Sequence, residues 1–594
     1  MKKQIYILGI YTGHNATASL LKDGEIIACV SEERFNGVKN YIGYPKKSIE
    51  WCLDFAKITP RDLAIVAFPS TFGAPIFVSD ETKKTVSIIL LAFFYQIAGR
   101  VRKLWGKLVF LYPKIRRIGS FCYMVAAKTM GQYVLIKEKQ NIAKDIGVSV
   151  EKIITFDHHL SHAATAYYAS PFSREKALVL TLDAEGNLVC STVHVFQKDS
   201  NKKLASTSRE NSLGWMYLYL TKYLGMKPGE HEYKVMGLAP YAKIKDVQKV
   251  FEKIKDIIIL DPKNKLKFYA RFNMQDMYEY LKKNMEGVRF DIVAGAFQKL
   301  LEDRIVEWVT YAIQRTKIAT IICSGGVFMN VKANQKVSLI PQVKRAYFMP
   351  SAGDESVGIG ACYVAYIDLL HSQNRRPEPK SIKDLYLGPS FSNADVEQFL
   401  KKGKYEKKYT INKIDNIEKE IAQLLAHGKV VGRVNGRMEW GARSLGNRSI
   451  LADPSNIDAV FVINKQMKDR DFWMPFAPTI MLERMHDYCV NPKNIAAYYM
   501  ILSFDSTSLA RKELRAALHP YDFTLRPQIL EEAWNPKYYK LIKEFEKLTG
   551  IGGVLNTSFN LHGMPVVLGP KEAMYAFEHS GLEYVALENF LISK

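Results

Sequence analysis

The sequence lacks the cysteine patterns and the leader segment that mark several protein classes. Its seven cysteines are scattered over 594 residues, and no two of them form a Cys-x-x-Cys pair. This spacing excludes zinc ribbons and small disulfide-rich scaffolds. Residues 1–7 lead directly into an apolar stretch and contain neither the apolar core nor the cleavage site of a signal peptide. We therefore expect a cytoplasmic protein in a reducing environment.

Acidic residues are missing from one long stretch. No Asp or Glu occurs between Glu81 and Glu138, whereas residues 82–137 contain eleven Lys and Arg among apolar residues. The apolar runs are shorter than the roughly 20 residues that span a bilayer. We expect a helical insertion, and three interpretations of its basic face stay open. The face is solvated, lies on an anionic membrane surface, or contacts RNA.

The chain carries a net charge of +23 and 48% hydrophobic residues. This hydrophobic content suffices for substantial cores, and the length predicts two large domains or three smaller ones. A positive charge suits nucleic acid or an anionic membrane as a partner, and it also occurs in proteins that bind neither. The charge alone therefore selects no function.

Three histidines occur within six residues, in a chain that has only 12. An apolar run precedes them and an alanine-rich segment follows, which predicts a helix that begins near Asp157. His158 and His162 then lie one turn apart on one face, as two ligands of a shared metal ion require. Two imidazoles rarely suffice, so carboxylates are expected from elsewhere. Without them, the pair would be ordinary histidines with no metal.

The order strand, polar turn, strand occurs twice. In residues 5–31 an apolar strand ends at a turn that contains His14, and an Asp-Gly hairpin joins the next two strands. In residues 177–197 a strand ends at Asp183, and another strand follows. The repetition predicts a duplicated α/β domain, and an ordinary meander is the alternative for the first stretch.

Two further polar groups follow predicted strands. Gly325 and Gly326 precede Asn330, and paired glycines allow backbone amides to approach a ligand closely. Asp354 stands before a helix of small residues, as either a metal ligand or a helix cap. The polar residues 371–383 predict a linker, and an apolar strand at 384–388 is expected to open a second α/β domain that extends to residue 594.

The second domain contains a dense group of cations. Residues 436–454 combine three arginines with three glycines, a poor composition for a core element. A guanidinium group matches phosphate oxygens two at a time, so a phosphate site is predicted, and a solvated basic surface is the alternative. The candidate ligands are Arg443, Arg448, Lys468, Arg526 and Asn556.

Together these blocks resemble the carbamoyltransferase family that includes the nodulation-factor, cephamycin and tobramycin carbamoyltransferases. The resemblance implies an actin-like domain over residues 1–370, similar to the universal tRNA threonylcarbamoyl transferases, with the basic insertion at about 82–137. It implies a twisted, open α/β sheet over residues 384–594, similar to threonylcarbamoyl-adenylate synthases. The matching blocks are residues 13–16, 158–164, 230–241, 325–326 and 436–454.

The resemblance also implies a two-step reaction. Carbamoyl phosphate and ATP, with Mg²⁺, would form carbamoyl-adenylate in the second domain. The first domain would then transfer the carbamoyl group, with His14 serving this step, to a hydroxyl of a sugar, glycolipid or natural product. The second-domain cations would grip phosphate and carbamate, and a homodimer stays open. The implied Fe²⁺ ligands, with other divalent metals open, are His158, His162, Asp183 and Asp354, and Gly325, Gly326 and Asn330 would contact nucleotide.

Two positions depart from the family pattern. Asn15 stands where aspartate is common, which puts a charge role in doubt. Met474 stands where an arginine commonly precedes Pro-Phe-Ala-Pro, which puts one phosphate contact in doubt. Two other functions stay open: a tRNA-modifying threonylcarbamoyl-type transferase and a non-enzymatic nucleotide-binding scaffold. The tRNA-modifying relatives are separate, shorter proteins, so the fused domains make nucleic acid the less favoured partner.

The membrane interpretation of residues 82–137 predicts binding to anionic vesicles. Each cation near an anionic leaflet contributes on the order of 1 kcal/mol, and salt screens this attraction. The intact protein should co-sediment with such vesicles, less so at high salt, and a version without the segment should not. Binding would place the enzyme peripherally at the inner membrane face. Equal sedimentation of both proteins would contradict the interpretation.

Overall fold

The computed structural model describes residues 4–71, 116–468 and 470–594. The predicted basic insertion lies outside the described residues as far as residue 115, and from Arg116 the chain forms the helix Arg116–Ile146. Val134 and Leu135 of this helix are buried, so the vesicle experiment should delete residues 82–115 only. Within the described part, no helix combines the length and apolarity needed to cross a membrane. Membrane contact stays a prediction.

The N-terminal part, up to residue 372, contains two five-stranded sheets built on one plan. Their strand orders are β3-β2-β1-β4-β5 and β8-β7-β6-β11-β12, and β9 pairs with β10 alone. In the first sheet β1 is antiparallel to β2 and parallel to β4. In the second sheet β6 is likewise antiparallel to β7 and parallel to β11. The repeated order confirms the predicted duplicated, actin-like α/β fold. The strands are β1 Tyr6–Tyr11, β2 Thr17–Lys22, β3 Glu25–Ser31, β4 Leu63–Phe68, β5 Ile153–Thr155, β6 Ala177–Gly186, β7 Val189–Gln197, β8 Ser200–Ser208, β9 Ile258–Leu260, β10 Phe268–Ala270, β11 Thr320–Ser324 and β12 Arg345–Phe348.

Helices cover both faces of the first sheet. Every residue of β1 is buried, as expected for a central strand with two covered faces. Leu8 and Ile10 belong to the apolar cluster that includes the helix Arg116–Ile146, whereas Ile7 belongs to the cluster that includes the helix Val357–Ser372. The described helices of this part are Glu33–Asn36, Lys46–Ala56, Arg116–Ile146, His158–Ala169, Leu213–Tyr223, Glu232–Leu238, Ile244–Ile254, Met277–Asn284, Phe290–Thr316, Val331–Leu339 and Val357–Ser372.

The C-terminal part is built on one mixed sheet of order β13-β22-β21-β14-β15-β20-β16-β19, in agreement with the predicted α/β class. The helix Ile417–Ala426 directly precedes the strand Val431–Val434 of this sheet. The strands are β13 Thr410–Lys413, β14 Val431–Val434, β15 Arg448–Ala452, β16 Ala477–Met481, β17 Cys489–Val490, β18 Asp505–Ser506, β19 Gln528–Leu530, β20 Gly553–Ser558, β21 Tyr584–Leu587 and β22 Phe590–Ser593. The described helices are Asn393–Lys402, Ile417–Ala426, Ile457–Ile463, Met485–Tyr488, Ser508–Glu513, Pro536–Thr549 and Pro570–Glu578.

The strand predicted at 384–388 is wrong. The amide of Leu387 donates to the carbonyl of Leu385 at 2.8 Å, which closes a three-residue turn and interrupts the extended backbone. Leu385 and Leu387 are nevertheless buried, and the amide of Cys29 in β3 donates to the carbonyl of Leu387 at 3.1 Å. The apolar pattern that predicted a strand therefore reflects a buried connection along the edge of the first sheet.

The two parts share an apolar core. One continuous cluster of buried side chains extends from Ile5 to Leu591 and draws on both parts. A second cluster, from Val396 to Ile592, lies within the C-terminal part. The two parts are thus packed together, and the exact domain division at residues 371–383 stays a prediction.

Gly360 sets the distance between two helices that carry or adjoin candidate metal ligands. A β-carbon there would lie 1.8 Å from the carbonyl oxygen of Ser161, so the helices Val357–Ser372 and His158–Ala169 would have to separate. The variant Gly360→Ala should lose about 1–3 kcal/mol of stability through overpacking. It should also lower metal content, because Asp354 would move away from the histidines.

Melting temperature and metal analysis test this expectation. Gly550→Ala is the matched control, because its β-carbon would meet no atom within 4 Å and only its left-handed backbone, with φ of 79°, is strained. Unchanged metal content in Gly360→Ala would show that the helix spacing does not position the ligands.

Candidate functional site

The two predicted histidine ligands lie on one buried helix face. The side chain of Asp157 accepts the amide of Leu160 at 2.7 Å and caps the helix His158–Ala169. The amide of His158 donates to the side chain of Asn187 at 2.9 Å, which fixes the first turn. The rings of His158 and His162 are 4.7 Å apart, as the one-turn spacing predicts.

Both predicted aspartates reach these histidines. Asp183 lies at a bulge of β6, where the pairing with β7 shifts register. Asp354 begins a short turn before the helix Val357–Ser372. Its Oδ1 atom lies 3.4 Å from Nε2 of His158 and 3.2 Å from Nε2 of His162. The corresponding distances from Oδ2 of Asp183 are 3.6 and 3.9 Å.

His158, His162, Asp183 and Asp354 form a group that fits a divalent cation. We call these four residues the metal cluster. One ligand atom from each residue lies within 4.8 Å of the others. Nε2 of His158 is buried and makes no hydrogen bond to the described residues. Two carboxylates this close repel each other unless a positive charge lies between them. Mixed nitrogen and oxygen ligation suits several divalent transition metals and does not select one.

The opposite charges within the metal cluster set the direction of the pKa shifts of His158 and Asp354. Burial alone would lower the pKa of His158, but Asp354 and Asp183 outweigh it and raise this pKa to about 10. Burial alone would raise the pKa of Asp354, but the two imidazoles hold it well below its usual range. In both groups, then, the charged partners outweigh burial.

The sequence did not single out Tyr11, although it contacts the cluster. Its hydroxyl donates to Oδ2 of Asp354, and burial followed by the Asp354 charge raises the pKa of this phenol. Tyr11 ends β1 directly before the turn that contains His14. The one sequence feature that could have indicated Tyr11 is its position at the end of a predicted strand.

His159, the third histidine of the cluster in sequence, has a structural role. Its ring nitrogens bond the hydroxyl of Thr181 and the carbonyl of Val189, both at 2.8 Å. Burial, with the neighbouring histidines, holds its pKa well below the usual range. A neutral imidazole with both nitrogens satisfied is not a further metal ligand.

Of the other predicted N-terminal residues, the glycine pair adjoins Asp183 and His14 adjoins Gly229. His14 is partly buried, and a β-carbon at Gly229 would lie 4.0 Å from its Nε2 atom. The amide of Gly326 donates to Oδ1 of Asp183 at 3.1 Å. Gly325 has φ of 100°, and a β-carbon there would lie 2.3 Å from the carbonyl oxygen of Leu182. The glycine pair is therefore required by the backbone beside Asp183.

The side chain of Asn330 makes hydrogen bonds within the protein. Its Oδ1 atom accepts the amide of Ala333 at 3.0 Å and caps the helix Val331–Leu339. Its amide nitrogen donates to Gln298 at 2.9 Å. Its predicted contact with a nucleotide stays a prediction.

A second group of polar residues lies in the C-terminal part. Burial lowers the pKa values of Arg443, to about 10, and of Arg470. Burial, followed by these two cations, holds the pKa of Arg526 well below its usual range. Burial and Arg470 do the same to Lys468. We call these four residues the cation cluster.

No carboxylate within the described residues forms an ion pair with the cation cluster. Nε of Arg443 is buried without a hydrogen-bond partner there. Arg526 donates to the carbonyl of Met500 at 3.3 Å, and Arg470 to the hydroxyl of Thr557 at 3.2 Å. A group of cations that lower one another's pKa and have no carboxylate partner among the described residues would be stabilised by an anion.

Three of the predicted phosphate contacts, Arg448, Asn556 and Lys468, hydrogen-bond within the protein. The Lys468 ammonium donates to the carbonyl of Ser558 and to Oδ1 of Asn560, the latter at 2.6 Å. All three guanidinium nitrogens of Arg448 donate to backbone carbonyls, among them those of Leu568 and Pro389. The amides of Leu445, Asn447 and Arg448 donate to the Glu439 carboxylate and are used in the same way. The amide nitrogen of Asn556 donates to Thr479 at 3.0 Å, while its Oδ1 atom is buried and finds no donor among the described residues. The phosphate roles of Arg448 and Asn556 stay predictions.

The departures at Asn15 and Met474 have local explanations. Asn15 adopts a left-handed backbone with φ of 61°, a conformation that Asn tolerates well. Met474 is buried and lies beside Gly237, where a charged arginine would be desolvated. Arg470, four residues earlier, belongs to the cation cluster and brings a guanidinium to this region.

The metal cluster and the cation cluster lie on two sides of residues 351–355. The amide of Ala442 donates to the hydroxyl of Ser351 at 3.2 Å, and that hydroxyl donates to Glu355. Glu355 follows the candidate ligand Asp354 and acts electrostatically on Arg443. One short turn thus connects the two sites.

Comparisons with known proteins agree with this arrangement. A model of the carbamoyltransferase N-terminus matches residues 6–363, and a model of the carbamoyltransferase C-terminus matches residues 422–594. The chain belongs to the carbamoyltransferase family. It is therefore a transferase, as the sequence predicted.

Relatives of this carbamoyltransferase extend over nearly its whole length. It is 29% identical to the uncharacterised protein sll1178 of Synechocystis sp., covering 99% of this chain and 97% of the relative. It is 33% identical to the uncharacterised protein MJ1058 of Methanocaldococcus jannaschii, with coverages of 87% and 83%. It is 28% identical to nodulation protein NolNO of Sinorhizobium fredii, with coverages of 98% and 79%.

Solved structures resemble the carbamoyltransferase only weakly. Full-length HypF in its phosphate- and nucleotide-bound form is 13% identical and has a TM-score of 0.33, covering 63% of this chain and 57% of that chain. Component A of (R)-2-hydroxyglutaryl-CoA dehydratase from Acidaminococcus fermentans is 14% identical, with a TM-score of 0.31 and coverages of 61% and 98%. Likenesses this weak carry no functional conclusion.

We expect that variants of the metal cluster lose the metal ion and carbamoyl transfer but keep the first reaction step. His158→Ala or Asp354→Ala should remove the ion, because each contributes one of four ligands, and should abolish transfer. The formation of carbamoyl-adenylate that the family resemblance implies should persist, because the cation cluster lies in the C-terminal part. Metal analysis and a pyrophosphate-release assay measure the two effects. His194→Leu, a buried histidine outside the cluster, is the control, and full occupancy in both ligand variants would refute the assignment.

Proposed function

We propose that this protein is an ATP-dependent O-carbamoyltransferase with two coupled sites. The observation that carries the proposal is the pairing of a His₂Asp₂ cluster with an unpaired cation cluster across residues 351–355, in a chain of this family. Anionic substrates would bind at the cations, and transfer would occur at the metal cluster. Its substrates are carbamoyl phosphate, ATP with Mg²⁺, and an acceptor that bears a hydroxyl group, of sugar, glycolipid or natural-product type.

The first step forms carbamoyl-adenylate in the C-terminal part. Water cleaves carbamoyl phosphate to carbamate and phosphate. A carbamate oxygen then bonds to the α-phosphorus of ATP, the bond between the α- and β-phosphates breaks, and pyrophosphate leaves. Arg443, Arg470, Arg526 and Lys468 would bind the phosphate and carbamate groups. Lys468 is buried and the three arginines are partly buried. This burial favours the role, because charge-assisted hydrogen bonds are stronger where water is excluded.

The second step transfers the carbamoyl group in the N-terminal part. His14 would accept the proton of the acceptor hydroxyl, whose oxygen then bonds to the carbamoyl carbon while AMP leaves with the bond's electron pair. His158, His162, Asp183 and Asp354 would hold a divalent ion, for which the family implies Fe²⁺. When bound, such an ion supplies a Lewis acid that neutralises charge on the leaving phosphate.

The proposal predicts that Arg443→Ala separates the two steps. This variant should lose pyrophosphate release that depends on carbamoyl phosphate, because an unpaired cation of the anion site is removed. Supplied with preformed carbamoyl-adenylate, the same variant should still modify the acceptor. Arg515→Ala, which removes an exposed arginine of the same part, should change neither step.

Mass spectrometry identifies the acceptor and tests the function as a whole. Candidate hydroxyl compounds incubated with enzyme, ATP and carbamoyl phosphate should gain one carbamoyl group. Failure of Arg443→Ala with the preformed intermediate would refute the division into two sites. Modified adenosine in tRNA as the product, with salt-sensitive tRNA binding, would favour a threonylcarbamoyl-type transferase instead.

A further inference from the structure

A single carboxylate interrupts the apolar face of the helix Arg116–Ile146. This face packs against β1 and β4 in one apolar cluster. In its middle, Glu138 is only 8% exposed. It is also the first acidic residue after the basic segment. The buried apolar residues on either side of it are Val134, Leu135, Ile142, Ala143 and Ile146.

Glu138 accepts a hydrogen bond from a residue in the turn that contains His14. The hydroxyl of Thr12, itself 5% exposed, donates to Oε1 of Glu138 at 2.9 Å. Among the described residues no cation forms an ion pair with Glu138, and burial raises its pKa to about 7. A buried carboxyl group without a cationic partner costs stability. Apolar packing therefore does not account for a glutamate at this position.

Thr12 lies between two residues of the site. Tyr11 before it donates to the candidate metal ligand Asp354, and the proposed base His14 follows two residues later. The carbonyl of Thr12 accepts the amide of Gly43 at 2.9 Å. The Thr12 side chain thus connects this turn to the helix Arg116–Ile146 through a hydrogen bond.

We infer that Glu138 is a positioning residue that, through Thr12, fixes the turn at residues 12–16 for carbamoyl transfer. The inference rests on the proposed function in assigning transfer to that turn. It makes the helix Arg116–Ile146, in which the basic segment ends, part of the support of the turn that contains His14. It assigns Glu138 no contact with substrate.

Hydrogen exchange measures the positioning without any assumption about the reaction. Glu138→Leu and Thr12→Val should each speed exchange in peptides that cover residues 12–17 and 41–44, because each removes the same hydrogen bond. Glu138→Gln and Thr12→Ser retain an acceptor and a donor, and should exchange like the wild type. Glu418→Leu, at a buried carboxylate in the C-terminal part, is the control and should leave both peptides unchanged.

Transfer from preformed carbamoyl-adenylate to the acceptor found by mass spectrometry gives the second readout. Each disruptive variant should lower kcat on the order of ten- to hundredfold, since small misplacements have such effects, with little change in KM. Pyrophosphate release in the first step should stay unchanged. The double variant Thr12→Val/Glu138→Leu should lose no more than either single variant, because both act through one contact.

The outcomes separate this inference from the proposed function. Unchanged exchange in Glu138→Leu and Thr12→Val, or multiplicative losses in the double variant, would overturn the positioning role. Faster exchange in an enzyme whose wild type transfers no carbamoyl group would support the positioning and refute the proposed function. If Glu138→Leu does not fold, as judged by melting, Thr12→Val beside Thr12→Ser decides the question.

Discussion

The close contact between two helices is the constraint on which the metal cluster depends. Gly360 allows the helix Val357–Ser372 to approach the carbonyl of Ser161, in the helix that carries His158 and His162. The hydroxyl of Thr165 donates to the carbonyl of Ser356 at 2.9 Å and holds the same crossing. Because each helix belongs to a different half of the duplicated fold, their spacing also sets how the halves meet. Asp354 reaches the imidazoles only at this spacing.

Charge is uneven between the two sites, and this difference suggests a division of labour. The metal cluster combines two carboxylates with two imidazoles, so one divalent ion would balance the charge of its carboxylates. The cation cluster has no carboxylate partner among the described residues, and its burial lowers the pKa of each member. It therefore gains most from an anionic ligand. The turn at residues 351–355 separates the sites by only a few residues.

The fold and much of the site followed from local patterns. The alternation of apolar residues and the turn signals located β1 to β3, and the spacing of His158 and His162 placed both on one helix face. The strand at 384–388 was wrong because a buried connection and a strand have the same apolar pattern. Arg448 has the composition of a phosphate ligand, yet its donors are used by carbonyls, which no sequence pattern reveals. Tyr11, Glu138 and Glu355 were missed because their partners are distant in the chain.

The sequence by itself determined the α/β class, the duplication, the histidine pair and the concentration of cations beyond residue 436. These features are local, since strand and helix periodicity and the spacing of neighbouring residues need no tertiary contact. Only the tertiary structure brought Asp183 and Asp354, which the family resemblance had implied, next to the histidines, and only it revealed which cations have no carboxylate partner among the described residues. It also decided that Thr12 and Glu138, 126 positions apart, form a hydrogen bond. Such contacts depend on how sheets and helices pack, because packing brings together residues that the chain separates.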